Sequence, residues 1–207
     1  MKNPVWLIIA AITLGLVSSI CAMKSSADLS SSTKLHPGTA LIAPQPGEEL
    51  NRPIIKPRIV VKKSQRQLLL FSDGKLVRTY HVGLGLSPVG DKARQGDRRT
   101  PEGDFYVFTK NDKSAFYLSL GISYPNTTHA DRGLRDGLIT HAQHEAILRA
   151  LRAKKSPPQN TLLGGDIYIH GNGAQSDWTW GCVALANEDM LELFKAVSVG
   201  TPVTIEP

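Results

Sequence analysis

The chain has 207 residues with 24 Lys+Arg, 18 Asp+Glu, six His and two Cys, enough for one sizeable core and too few cysteines for a disulfide-stapled miniprotein. At 41% apolar and 20% charged it has globular composition, and 18 Gly with 13 Pro indicate many turns without collagen-like or wholly disordered bias. The net charge of +6 admits nucleic acid, membrane or any anionic polymer as partner and selects none.

The first predicted element narrows that set. Lys2 precedes residues 5–23, Val5 through Met23, which carry no charge. This is the n-region and h-region layout of an export signal, and a stretch of about 19 residues is also just long enough to span a bilayer. Ile20-Cys21-Ala22 and Ser25-Ser26-Ala27 offer small residues for cleavage. Cys21 adds a lipoprotein reading, although Ser18-Ser19-Ile20 lacks the small residue usually wanted next to a lipidated Cys. Residues 1–23 are therefore read as a signal peptide or membrane anchor. In each version the protein is exported, to the periplasm or cell envelope. The inner membrane is a partner if the segment is uncleaved, and nucleic acid is not an expected partner.

Residues 24–57 read as a Ser/Pro-rich linker, with prolines at 37, 44, 46, 53 and 57. From Arg58 alternating, β-branched runs begin, and 58–206 is read as one domain, mostly β (α+β) with two helices. Arg58–Lys63 and Gln67–Phe71 predict strands, and Asp73-Gly74 predicts a hairpin turn into Lys75–Gly83. Asp104–Thr109 and Phe116–Ser123 are further strands. Tyr124-Pro125-Asn126 and Arg132-Gly133-Leu134 read as an irregular excursion that walls a cleft. Thr140 with Gln143 makes a capping box for a helix with Ile147, Leu148 and Leu151 as its apolar stripe, closed by Lys154 and Lys155 before Pro157-Pro158. The second helix starts at Asn187 and ends near Val197, and Pro202–Ile205 is a last short strand.

Charge is unevenly placed. Residues 56–99 hold 11 Lys/Arg and three Asp/Glu, a balance of +8, whereas residues 166–207 hold one Lys and six acids, a balance of −5. Solvated strand faces account for this equally simply; attraction to an anionic polymer such as the bacterial wall is the functional alternative.

The chemistry-bearing stretch runs from Gly164 to Asn187. Ile167–Ile169 is a short β-type run that delivers His170 at its end, and Cys182 follows Gly181 a few residues before a helix. A thiol needs a base or positive field nearby to ionise at neutral pH, and an imidazole 12 residues away can return beside it through a loop. Gly181 leaves room for a substrate carbonyl, and the N–H groups of Gly181 and Cys182 can form an oxyanion hole. If the chain is cut after Ala22, Cys182 is the single cysteine left, a lone thiol in oxidising surroundings. A buried apolar cysteine and a hydrogen-bonded strand-end histidine are the bland alternatives; the pair on facing ends of one loop favours nucleophilic catalysis. Asp177, Trp178 and Trp180 are read as lining a sugar or peptide cleft, with core packing the alternative for the tryptophans. His141 and His144 are too sparse for a metal site, and Gly83-Leu84-Gly85 lacks the helix a dinucleotide site requires. No metal or cofactor is expected.

His170-Gly171 followed by Thr179-Trp180-Gly181-Cys182 resembles the L,D-transpeptidase (YkuD-type) motif, His-Gly then Ser/Thr-x-Gly-Cys. Thr100-Pro101-Glu102-Gly103-Asp104-Phe105 is similar to that family's Thr-Pro-x-Gly-x-Phe segment, as is the hairpin ending in Val82-Gly83. The resemblance covers roughly 58–206. It implies a YkuD-like β-sandwich or barrel-type fold and a cysteine that attacks peptidoglycan stem peptides in cell-wall biogenesis. Cys182 would be the nucleophile, His170 the general base and acid, and the Gly171 carbonyl the group that orients the imidazole; Thr179 matches the motif's hydroxyl. The implied reaction releases D-Ala, leaves a thioester on Cys182, and passes the acyl group to a second stem as a 3→3 crosslink.

Two departures stand out. Ala184 occupies the place of the family's usual arginine, and Trp180 the place of a frequent histidine. An arginine there can hold a carboxylate bidentately and alanine cannot. The Gly-Cys-x-Ala version also resembles a branch containing an amidase that cuts lipoprotein from peptidoglycan. A carboxypeptidase or amidase acting on stem-peptide or peptidoglycan–lipoprotein bonds is therefore the alternative to transpeptidation, with a wall-linked lipoprotein as a further partner. A non-catalytic wall-binding module is the reading from a different class.

Overall fold

The computed structural model describes Leu50 and residues 53–207. The export segment and all but the last residues of the linker expected from the sequence lie outside the described residues. Among the described residues no helix is long and apolar enough to cross a membrane.

The chain enters a hairpin ladder. Strand β1 (Arg58–Lys62) pairs antiparallel with β2 (Gln67–Ser72), and β2 with β3 (Lys75–His81). Asp73 and Gly74 take φ of +46° and +78°, the left-handed pair that a two-residue hairpin needs to match strand twist. The final strand β8 (Pro202–Glu206) returns to lie parallel to β1, with Ile59 opposite Val203, and antiparallel to the start of β4 (Gly103–Ser114). The far half of β4 folds onto β5 (Tyr117–Ile122). The three-residue β6 (Tyr168–His170) pairs with β5, and the two-residue β7 (Val183–Ala184) runs parallel to β6.

The resulting order is β3-β2-β1-β8-β4-β5-β6-β7. Its two edges meet: Gly83, just past β3, exchanges hydrogen bonds of 2.9 and 2.8 Å with Ala184 of β7, and Gly85 bridges Thr179. Residues at these glycines must be small, because a Cβ on either would collide with the backbone carbonyl of Ser176 or Arg98. The expected mostly β, barrel-type fold is observed.

Its helices number three among the described residues rather than two. Thr127–Arg135 forms α1, which the sequence pattern left irregular; α2 (His141–Arg152) and α3 (Asn187–Ala196) fall where expected, α2 with its Thr140/Gln143 capping box. Two β-branched threonines and an internal glycine give α1 poor intrinsic propensity. It exists because Asn126 caps it, accepting the His129 N–H at 3.1 Å, and because Gly133 lets it approach Leu163 closely. Ala130, Ile139, Ile147 and Leu163 form a small core shared by α1 and α2.

The main core gathers Ile59, Val61, Leu68, Leu70, Val107, Leu120, Ile122, Ile169 and Val183 with Met190 and Leu193 of α3. Burying each such side chain contributes roughly 1.5–3 kcal/mol. Folding also interleaves the two charge blocks. Buried Lys63 pairs with Glu102, Arg66 with Asp177, buried Arg78 with Glu192 and buried Lys92 with Asp97. Part of the basic front half is thus internal structure; Arg66 and Arg78 join it to acids of the C-terminal block, whereas Lys63 and Lys92 find Glu102 and Asp97 outside that block.

Candidate functional site

The site lies where β6 and β7 end. His170 closes β6, and its register partner Ala184 places Cys182 beside Tyr168, two residues before it. The His170 Nδ1 lies 2.7 Å from the Gly171 carbonyl oxygen. A carbonyl can only accept, so Nδ1 carries the proton and Nε2 is left as the acceptor. Gly171 is needed there: a Cβ would lie 2.6 Å from Asn187 Oδ1 and 3.1 Å from the Phe116 carbonyl oxygen.

The half-buried Cys182 thiol receives the Tyr168 N–H at 3.4 Å and points toward the Asp166 carbonyl at 3.5 Å. Burial pushes it up to about 11, the Asp166 carboxylate adds to this, and the Tyr168 N–H and Lys92 oppose it. Burial also moves His170 below the ordinary imidazole value, partly offset by its bond to Gly171. The resting pair at neutral pH is therefore thiol and neutral imidazole, an uncharged pair instead of thiolate and imidazolium. Both groups open onto one cleft of about 290 Å³, lined also by Asn111, Phe116, Ser119, Asp166 and Tyr168. A larger groove of about 570 Å³ between α3 and Leu50, Pro53 and Ile54 contains no His or Cys, so the smaller cleft is the chemical one.

The remaining residues singled out from the sequence divide into two groups. Trp178 stands in the site: its ring centroid is 5.5 Å from that of His170 and 5.8 Å from that of Phe116, and its indole donates to the Gly173 carbonyl at 3.1 Å. Asp177 does not line the cleft. Its carboxylate takes Arg66 bidentately and accepts the Leu84 N–H at 2.9 Å, tying the loop that leads to Cys182 to the β2–β3 side of the sheet. Thr179 is buried, not presented to a ligand; its hydroxyl donates to the Cys182 carbonyl at 2.8 Å and accepts the Gly181 N–H at 3.1 Å. That second bond changes the expected oxyanion hole. Gly181 has its donor engaged by threonine, so the Cys182 N–H is the one of the two that makes no hydrogen bond among the described residues. The Gly181 backbone itself is constrained, with φ +127° and a virtual Cβ 2.7 Å from the Arg99 carbonyl oxygen. Trp180 is exposed, with Arg98 over its ring. His144 pairs with Asp131 at 2.7 Å.

Phe116, Tyr168 and Asp166 complete the site and escaped the sequence pattern. Phe116 sits at the tip of the β4–β5 hairpin with its ring 4.7 Å from that of His170. The sequence pattern places Phe116 at the start of a strand and carries no signal that its ring meets a histidine. Tyr168 acts through its backbone N–H, for which side-chain identity gives no signal, and Asp166 through both its carbonyl and its carboxylate.

The L,D-transpeptidase catalytic domain (YkuD) family matches residues 56–205. Among solved structures, the chain is similar to an L,D-transpeptidase from Xylanimonas cellulosilytica, with 18% identity and a TM-score of 0.44 over 76% of this chain and 63% of that one. A helical cell shape determining protein from Campylobacter jejuni gives 22%, 0.46, 72% and 47%, respectively. An L,D-transpeptidase from Mycobacterium smegmatis gives 12%, 0.44, 73% and 59%. The chain thus spans between 47% and 63% of the length of these three structures. No curated protein matches it. With the matched region covering most of the sequence, the chain belongs to the L,D-transpeptidase catalytic domain (YkuD) family.

Proposed function

We propose that the protein is an exported cysteine acyltransferase that acts on peptidoglycan stem peptides in the cell envelope. The observation that carries this reading is the His170 tautomer fixed by Gly171, which leaves Nε2 free to accept a proton in the cleft that holds the Cys182 thiol. In the first half-reaction Cys182 Sγ bonds to the carbonyl carbon of the third stem residue as its proton passes to His170 Nε2. The C–N bond then breaks, His170 returns the proton to the departing D-Ala amine, and a thioester remains. An amine of a second stem then loses its proton to His170, bonds to the thioester carbon and releases the Cys182 thiol, giving a 3→3 crosslink. Water in place of that amine gives hydrolysis by the same steps.

Thr179 and Thr100 serve as positioning residues, since both hydroxyls reach the Cys182 carbonyl, at 2.8 and 3.5 Å. Export rests on the uncharged segment 5–23 behind Lys2.

Incubation with a carbapenem followed by mass spectrometry should place a covalent adduct on Cys182. Purified tetrapeptide muropeptides should yield crosslinked dimers. Tripeptides without dimers would instead make the protein a hydrolase. No adduct together with unchanged muropeptides would leave a wall-binding module as the surviving reading.

A further inference from the structure

The family resemblance calls for an arginine at position 184, where this chain has alanine. Ala184 is fully buried, held between His170 of β6 and Gly83. Its methyl offers no hydrogen-bond donor to a substrate carboxylate. A guanidinium does reach the nucleophile loop from another direction. Trp180 is 67% exposed although its neighbours Thr179 and Gly181 are buried, and the Arg98 guanidinium lies 4.8 Å from its ring centroid.

Both residues are held by backbone. Arg98 has φ +58°, a left-handed conformation unusual for arginine, and its carbonyl accepts the Ser87 N–H at 3.1 Å. The next carbonyl, that of Arg99, packs against Gly181. The loop that carries Arg98 therefore rests on the residue preceding Cys182. Lys63, Arg66, Arg78 and Lys92 are each taken by a carboxylate; among the described residues the contact made by the Arg98 guanidinium is with Trp180. A guanidinium held over an aromatic ring by cation–π attraction has no carboxylate partner there, so its N–H donors can take a carboxylate bidentately.

We propose that Arg98, stacked on Trp180, is a specificity residue that takes the free C-terminal carboxylate of the leaving residue of the acyl donor. The proposal rests on the reading of Cys182 as a nucleophile toward stem peptides. Of the carboxylates on such a peptide, this one is nearest in bonds to the attacked carbonyl on the leaving side, as Trp180 is two residues from the attacking sulfur. The Arg98–Trp180 pair would supply from a neighbouring loop the anion recognition that Ala184 lacks.

The test is a binding measurement on the full-length Cys182→Ala protein, so that affinity is read apart from turnover. A disaccharide-tetrapeptide muropeptide and its C-terminal carboxamide are titrated while the Trp180 indole and Arg98 side-chain NMR signals are followed. The carboxamide should bind about tenfold or more weaker. Arg98→Met should weaken the carboxylate peptide by a similar factor and leave the carboxamide unchanged. Equal affinities for the two peptides, equal losses on Arg98→Met, or no shift of the Trp180 indole would overturn the proposal. A loss on Trp180→Ala that ignores the carboxylate would assign the ring to sugar stacking and overturn it as well. Failure of the nucleophile reading shows separately, as a missing Cys182 adduct in the unmodified protein.

Discussion

The β1–β3 and β8 side of the sheet and the β5–β7 side share one core, to which Leu120, Ile122, Ile169 and Val183 of the second side contribute, but they differ in how the chain between their strands is held. On the first side the strands are five to seven residues long and bury Ile59, Val61, Leu68, Leu70, Val203 and Ile205 in one continuous core. On the second, β6 and β7 have three and two residues, and the chain between them is fixed by individual polar bonds: Asp177 to Arg66 and Leu84, Thr179 to Cys182 and Gly181, His170 to Gly171. Aliphatic burial is additive and non-directional. The polar bonds are directional, and each fixes one backbone group near the thiol. The shared core sets stability; on the second side the polar bonds set geometry as well.

Substitutions can break this contrast. The largest effect is expected from His170→Ala, which removes the proton acceptor and should lower the acylation rate of Cys182 by about 10²–10⁴-fold per folded molecule. Its ring is buried against Phe116 and Trp178, so thermal melts beside the acylation assays normalise the rate to folded protein, and an unchanged rate per folded molecule would contradict the role. Next, Leu70→Ala should cost about 2–5 kcal/mol in urea unfolding while the rate per folded molecule is unchanged. Asp177→Ala should do both on a smaller scale, losing about 1–3 kcal/mol by leaving the Leu84 N–H and Arg66 without their acceptor, together with a measurable loss of acylation. If Asp177→Ala alters stability alone, the loop tie does not govern thiol placement.

The smallest effect near neutrality is that of pH. His170 must be neutral to accept the thiol proton, and its folded value lies below the ordinary imidazole one of about 6.5. Acylation should be flat near neutrality and decline only below that ordinary value, about tenfold per pH unit once His170 is protonated. No thiolate-driven rise should occur until pH approaches the Cys182 value of about 11. A log–linear rise through neutral pH would instead mean that thiolate is the reacting species.

What the sequence reveals follows the same division. Asp73-Gly74, the Thr140/Gln143 box and the alternation of β1 and β2 are local signals, and the structure repeats each. The structure brings His170 and Cys182 onto one cleft, as expected from a strand-end His-Gly and a Gly-Cys on facing ends of one loop. The α1 helix was not, since its stability comes from Asn126 capping and the fit of Gly133 on Leu163. The expectation that Asp177 lines a cleft fails for a related reason. Polar residues beside a nucleophile look like ligands until their partners are known, and Asp177 finds Arg66 111 positions away. The Thr179 hydroxyl turns inward to the Gly181 N–H by a local bond, a geometry that sequence spacing alone does not distinguish from an outward one. The segregated charge blocks likewise became ion pairs only on folding.

The account stands most directly on whether Cys182 becomes acylated by a stem peptide. Mixing the full-length protein with a disaccharide-tetrapeptide, quenching in acid and measuring intact and peptide-level mass addresses this. The predicted result is a thioester-linked disaccharide-tripeptide on Cys182 with free D-Ala released, and neither product in Cys182→Ala. An unmodified Cys182 with no released D-Ala, in protein that is folded by thermal melt, would contradict it.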